Sequence, residues 1–362
     1  MTNHQAGVEA GASEARNRTA RGAEHQYIDR FDLRVKDEQL CGDTVVNYIY
    51  GTVREQAPAL FRALTSLRFT SLLGHLNFDI PLVRLFGGVK PFIRRMGVDL
   101  SECVDDIGPL DSPRRVFERK IRFWDLRPMD DSPGAVAAPA DAKMLAGSLD
   151  PATPLFLKNK FFHFEELLAI DKQQWIEAFA DGDYAIFRLC PEDYHYSHSP
   201  VSGRVVDFYE IPGRCHSCNP GAVVAMATPY SKNRRVVTVI DTDVPGGTQA
   251  GLVAMIEVVA LMIGDIRQCY SDHRYEHPHG ISRGMMMRKG QPKSMFRPGS
   301  SVDILFFERG RVRFSGDILR NMQAPESRNR FTAAFGRPLT ETRVRVRSTV
   351  AAAVRRSGEG GR

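Results

Sequence analysis

Residues 296–307 read Phe-Arg-Pro-Gly-Ser-Ser-Val-Asp-Ile-Leu-Phe-Phe, so the turn-forming group Pro298-Gly299-Ser300-Ser301 runs straight into a stretch that is apolar but for Asp303. A short apolar run bounded by turn residues is too brief for a typical helix and suits a buried strand. Runs of the same kind recur on the N-terminal side at 184–190, 204–210, 222–227, 235–241 and 252–263, the last interrupted by Glu257, and one follows at 312–314. Turn residues separate them, as at Ser202-Gly203, Pro212-Gly213 and Pro245-Gly246-Gly247. Helical pattern is brief in this half, with 163–170 the clearest example, which predicts a mostly β domain.

Further upstream the period changes. Between residues 43 and 97, Leu60, Phe61, Leu64, Leu67, Leu72, Leu73 and Leu76 recur three or four apart, broken by Pro58, Pro81 and Gly87-Gly88. Arg62, Arg68, Arg84, Lys90, Arg94 and Arg95 are interleaved with them. Such a mixture fits helices lying in a membrane interface and equally an ordinary helical subdomain packed on the core. Prolines at 113, 128, 133, 139 and 151 mark the change of character. The expected architecture is α+β, with a helical N-terminal region over 27–110 and a mostly β domain over 111–350. The polar ends, 1–26 and 351–362, read as disordered tails.

Composition bounds the function. The chain has 362 residues and a formal net charge of +6, enough length for a sizeable core and too little basic surplus for a dedicated nucleic-acid binder. Hydrophobic residues at 43% and charged residues at 25% exclude an integral membrane protein and a wholly disordered one. The cysteines, Cys41, Cys103, Cys190, Cys215, Cys218 and Cys269, are too scattered for a disulfide framework, which points to a reducing compartment. No signal-peptide core or bilayer-spanning run is expected.

Residues 190–203 hold the densest group of reactive side chains, with His195 and His198 three apart after a predicted strand. Two imidazoles so placed suit acid–base work; a zinc site would need further ligands at matching spacing. Cys215-His-Ser-Cys218 has zinc-like spacing without a second pair, and His273, His277 and His279 share one loop, so no metal is expected at either. Asp141 lies among small residues in Ala138-Pro-Ala-Asp-Ala142.

Taken in order, Pro139-Ala-Asp141, then Asp193-Tyr-His-x-x-His198-x-Pro200-x-x-Gly203, then Lys289-Gly290, Phe296 and Gly299-Ser300-Ser301, the chain resembles the phosphatidylserine decarboxylases, a family of self-cleaving pyruvoyl enzymes. The likeness extends to 27–31, Gly42, 48–51, 98–102, 117–119, Arg127-Pro128, 162–168, 211–213, Asn219-Pro220 and 233–235, and so spans roughly 27–315. It implies that the chain is a proenzyme in which Ser300 attacks the carbonyl of Gly299. The chain then divides into a large piece, 1–299, and a small piece, 300–362, that begins with a pyruvoyl group made from Ser300. By the same resemblance His198 is the base for that cleavage, oriented by Asp141. His195 serves the later decarboxylation, in which the pyruvoyl ketone forms a Schiff base with the amine of phosphatidylserine and phosphatidylethanolamine is released.

An enzyme acting on a lipid headgroup must reach the bilayer, so the resemblance favours membrane association for 58–97 and a peripheral place at the cytoplasmic face of a bacterial cell membrane, on anionic lipid. It is compatible with a homo-oligomer and implies no nucleic-acid partner. Departures from the family pattern are Ala142 where glycine is usual, Pro298 where leucine is usual, and Pro292 and Ser294 ahead of Phe296. Pro298 fixes φ beside the scissile turn and bears on the rate of cleavage. Two other readings stay open at this point: the same pyruvoyl chemistry on another amino acid or aminolipid, and an uncleaved, membrane-binding relative without activity.

Overall fold

The computed structural model describes residues 24–69, 72, 89–105, 112–153, 161–261, 265–298 and 301–354. Both predicted tails in large part, residues 70–71 and 73–88 of the basic, leucine-rich stretch within 58–97, and Gly299 and Ser300 lie outside the described residues.

Among the described residues sixteen strands make three sheets. They are β1 (Gln26–Asp29), β2 (Val35–Asp37), β3 (Ala135–Ala137), β4 (Ala142–Ser148), β5 (Asp183–Leu189), β6 (Tyr196–His198), β7 (Gly203–Ile211) and β8 (Arg235–Asp241). There follow β9 (Leu252–Val259), β10 (Ile266–Gln268), β11 (Met286–Met287), β12 (Pro292–Phe296), β13 (Ser301–Phe307), β14 (Val312–Phe314), β15 (Glu341–Val344) and β16 (Thr349–Ala353). The main sheet has ten strands in the order β11-β7-β8-β9-β13-β5-β4-β15-β1-β2. Two three-stranded sheets, β10-β12-β6 and β14-β16-β3, flank it.

The stretch that opened the sequence reading sits at the middle of this arrangement. β13 is antiparallel to both neighbours, with Ser301 opposite Leu189 of β5 and Val259 of β9, and every residue of β13 is buried. Burial on both faces explains why β13, β8 and β9 read as near-continuous apolar runs rather than alternating ones. The aliphatic residues of these strands merge with Phe161, Phe162, Phe179 and Phe331 into one core.

The α+β class and the mostly β second part agree with the sequence, with two local differences. Residues 222–227, expected as a strand, begin inside a helix, Pro220–Ala225. Asn219 caps it by accepting from the Gly221 backbone N–H at 2.8 Å and Pro220 occupies the first turn, and this start signal overrides the β preference of Val223-Val224. The region read as helical opens instead with β1 and β2, and β1 runs parallel to β15 so that the chain's N-terminal part extends the main sheet. Helices follow at Asp43–Tyr48 and Pro58–Leu64, joined through a π-helical turn, Ile49–Val53, and a short α-turn, Arg54–Gln56. They bury Val46, Tyr50, Val53 and Phe61 against Ala222. Among the described residues no helix is long and apolar enough to cross a membrane.

Candidate active site

The small sheet β10-β12-β6 assembles the site. β6 and β12 pair with Tyr196 opposite Met295, Ser197 opposite Ser294 and His198 opposite Pro292. Just beyond the pairing, the Phe296 N–H donates to the His195 carbonyl at 3.0 Å. The histidine segment is thereby fixed to the strand that leads to Pro298, and the chain reappears as β13 at Ser301. The short segment between the two strands carries the serine.

His198 is fully buried and held from every side. Its backbone N–H donates to the Pro139 carbonyl at 2.7 Å, two residues before Asp141. The ring Nδ1 lies 2.9 Å from the Gly290 carbonyl and Nε2 lies 3.0 Å from the Tyr194 hydroxyl, while Phe123 meets the ring edge-to-face at 4.7 Å. Gly290 has φ +75°, a left-handed backbone that glycine adopts without strain, and it presents this carbonyl to the ring. A carbonyl can only accept, so Nδ1 carries a proton and the neutral ring offers Nε2 as the acceptor. Burial pushes the imidazole pKa down to about 3, which keeps it neutral.

Behind it the Tyr194 and Tyr275 hydroxyls are 2.7 Å apart, and Tyr275 donates to the Ile121 carbonyl at 2.9 Å. The line Gly290–His198–Tyr194–Tyr275–Ile121 therefore contains four contacts, while a neutral histidine and two phenols supply three protons. Protonating His198 completes the line. That is the demand a base meets when it accepts a proton.

Asp141 precedes β4 and is buried, but it does not touch His198. It accepts three hydrogen bonds from Arg127, the closest at 2.7 Å, and one from the Val346 N–H at 2.8 Å. Arg127 reaches on to Glu102 at 2.7 Å. Burial works to raise the Asp141 pKa, and the Arg127 guanidinium outweighs it and holds the carboxyl below its ordinary value. The group that orients the His198 ring is thus the Gly290 carbonyl, and the carboxylate acts on it only through space.

His195 is different. It has no exposure, Phe117 stacks on it with ring centres 3.7 Å apart, and neither ring nitrogen makes a well-formed hydrogen bond among the described residues, only the backbone of Pro191 and Cys190 offering it polar contact. Burial, helped by the charge of Arg119, lowers its pKa well below the ordinary value. Orphaned buried imidazole nitrogens are costly unless they serve a bound group. The Ser301 hydroxyl is likewise buried without a partner among the described residues. Beneath them Ser197 donates to Asp303 at 2.7 Å, and Glu257 takes Lys293 at 2.5 Å together with Ser294. Burial and the facing Glu257 push the Asp303 pKa well up.

The family model for phosphatidylserine decarboxylase matches residues 115–330. The chain belongs to that family. Among its relatives, a phosphatidylserine decarboxylase proenzyme of Clostridium tetani is 29% identical over 295 residues, covering 81% of this chain and 91% of its own length. One from Bordetella petrii is 32% identical over 238 residues, 63% of this chain and 80% of its own. Phosphatidylserine decarboxylase proenzyme 3 of Schizosaccharomyces pombe is 26% identical over 279 residues, 76% of this chain but 27% of the longer fungal protein.

For a member of this decarboxylase family the structure sets His195 and His198 on one short segment in different surroundings, His195 against Phe117 and His198 against Phe123 and Tyr194, while Asp141 lies two residues beyond the Pro139 carbonyl that the His198 N–H reaches. Sequence reasoning gave no role to Tyr194, Tyr275, Arg127 or Arg119. Tyr194 sits inside the quoted histidine motif and could have been singled out, whereas Tyr275 comes from a loop whose approach only the fold reveals. Cys215 and Cys218 belong to the hydrophobic core, where burial pushes the Cys218 thiol up to about 12, and His273 sits on an exposed loop beside Glu276.

Proposed function

We propose that this chain is a phosphatidylserine decarboxylase proenzyme that cuts itself between Gly299 and Ser300. The pairing of β6 with β12 carries the reading, because it fixes both histidines to the strand that delivers the scissile segment. In the cleavage, the Ser300 hydroxyl adds to the Gly299 carbonyl and its proton passes to His198, whose uptake of it completes the tyrosine line. The amide becomes an ester, β-elimination separates residues 1–299 from 300–362, and hydrolysis of the new terminus releases ammonia and leaves the pyruvoyl group.

The orphaned nitrogens of His195 and the Ser301 hydroxyl fit a polar group seated at that terminus. Once formed, the pyruvoyl carbonyl supplies the electron sink for loss of carbon dioxide from an amine-bearing carbon. Protonation of the carbon left behind is the role we assign to His195, with Phe117 screening it from water. The substrate is phosphatidylserine and the product phosphatidylethanolamine. Access to it comes from the basic, leucine-rich region within 58–97 at an anionic, cytoplasmic membrane face, each basic side chain there adding about 1 kcal/mol.

The test is a denaturing gel with mass spectrometry of the purified protein. Two fragments, 1–299 and 300–362, are expected, and Ser300→Ala leaves one intact chain. A single intact band from the parent protein sinks the assignment. Carbon dioxide release from phosphatidylserine but not from free serine then fixes the substrate.

A further inference from the structure

A polar cavity of about 450 Å³ opens beside the histidine segment, and its lining includes Arg119, Arg127, Asp141, Asp193, Tyr194 and Arg343. The lining also carries Asp29, Asp37, Glu38, Asp99, Glu102 and Glu192, so carboxylates outnumber arginines, but most of these charges are matched, Asp29 by Lys36, Glu38 by Arg188 and Glu102 by Arg127. Asp141 is taken by Arg127, and Asp193 by the Cys190 N–H and, at 3.3 Å, by Arg343. Arg345, also at this cavity, is exposed and lies over the Phe31 ring. Arg119 is the exception. Only 5% of it is exposed, and no carboxylate lies within 4.0 Å of it among the described residues.

Two carbonyls hold the guanidinium in place, Val116 at 3.2 Å from Nη1 and Glu192 at 2.8 Å from Nη2, while Nε has no partner among the described residues. These two bonds occupy two of its five donors. Asp193, Asp141 and Glu102 act on it only from beyond salt-bridge distance, and a buried cation with spare donors and no direct counter-ion is stabilised by a bound anion. Its charge acts on His195 and it stands two residues from Phe117, the ring stacked on that histidine, so an anion held there lies beside the histidine segment.

We infer that Arg119 binds the phosphodiester of the substrate headgroup and leaves the departing carboxylate to the apolar side of the site. The inference rests on the proposed function and deepens it. A serine phospholipid presents two anions, and the reaction treats them differently. The carboxylate becomes neutral carbon dioxide, so a cation held against it would stabilise the reactant more than the transition state and slow the reaction. The phosphodiester keeps its charge throughout. A forked guanidinium there binds reactant and transition state alike, which tightens binding without opposing the chemistry.

The experiment uses the mature, two-chain enzyme and two probes without an amine: glycerophosphoglycerol, which carries only the phosphodiester, and N-acetyl-L-serine, which carries only the carboxylate. Binding of each is measured by calorimetry and as competitive inhibition with short-chain phosphatidylserine. Arg119→Gln is expected to weaken glycerophosphoglycerol about 10- to 100-fold, the worth of a charge-assisted bond, and to leave N-acetyl-L-serine within about twofold. The KM for substrate rises by the same factor, and kcat moves less. Arg119→Lys, which keeps the charge but not the fork, falls between and serves if the glutamine variant does not fold. Unchanged affinity for glycerophosphoglycerol, or a loss confined to N-acetyl-L-serine, overturns the inference. Failure of the parent chain to cleave or decarboxylate overturns the proposed function instead, so the two failures are distinct.

Discussion

His198 illustrates how a buried imidazole is kept neutral and still made receptive to a proton. Desolvation alone would make it a poor base, since its pKa falls to about 3. The missing proton in the line through Tyr194 and Tyr275 works in the opposite direction, because the charged ring fills a vacancy that the neutral ring leaves. Tyr275→Phe removes the acceptor that Tyr194 needs once His198 is charged, while keeping the ring that packs on Phe123 and Tyr196. The loss of one buried hydrogen bond in the charged state corresponds to about 1–3 kcal/mol. Self-cleavage is therefore expected to slow about 10- to 100-fold, followed as the appearance of residues 300–362 on a gel over time, with far-UV circular dichroism unchanged. An unaltered cleavage rate would show that the tyrosine line has no part in proton uptake. The histidines were legible as residues because two imidazoles three apart are rare and reactive. Their orienting partners were not, since Gly290 acts through a carbonyl and the Asp141 side chain is captured by Arg127.

At the scale of elements, the sequence pattern disclosed the long apolar strands β5, β8, β9 and β13, which are buried on both faces, and the half-exposed β7, but not β4, which is buried throughout yet carries small residues and Lys143. It missed the short ones that build the site. β6 and β12 carry Tyr-Ser-His and Pro-Lys-Ser-Met-Phe, whose polar residues face partners across the sheet and so give no period. A second feature invisible in sequence is the buried charge cluster that ties β5 to β15 and to the N-terminal segment. Arg188 of β5 bonds Glu341 of β15 at 2.5 Å and Glu38 at 2.6 Å, and His25 adds 2.8 Å to Glu341. Burial alone would raise the Glu341 pKa, yet Arg188 with His25 holds it down at about 2. Arg188→Leu leaves two buried carboxylates without their cation, a change that costs about 3–5 kcal/mol. The expected result is a lowered urea midpoint with an unchanged slope. A shift worth less than about 1 kcal/mol would mean that water or Lys143 replaces the guanidinium.

For the whole molecule, the position of β13 decides what cleavage can and cannot do. The proposed small chain, 300–362, supplies β13 at the middle of the ten-stranded sheet, β15 between β4 and β1, and β14 and β16 of a flanking sheet. The described residues from Ser301 to Phe307 are buried and hydrogen-bonded to β5 and β9 on both sides, both of which belong to the large chain. Cutting one peptide bond at the edge of this strand removes chain connectivity but none of these contacts. Separating the pieces would expose the core of the sheet, and burial of that apolar surface, at roughly 25 cal/mol per Å², holds them together. The two chains are expected to co-elute from size exclusion in buffer as a single species and to part only in denaturant. Renatured separately, 300–362 should show no strand signal by circular dichroism, because its strands have no partners of their own beyond the β14–β16 pair. Dissociation of the cleaved protein in buffer without denaturant would show that the sheet is reorganised on maturation, and that the uncut arrangement is not the one in which the mature enzyme works.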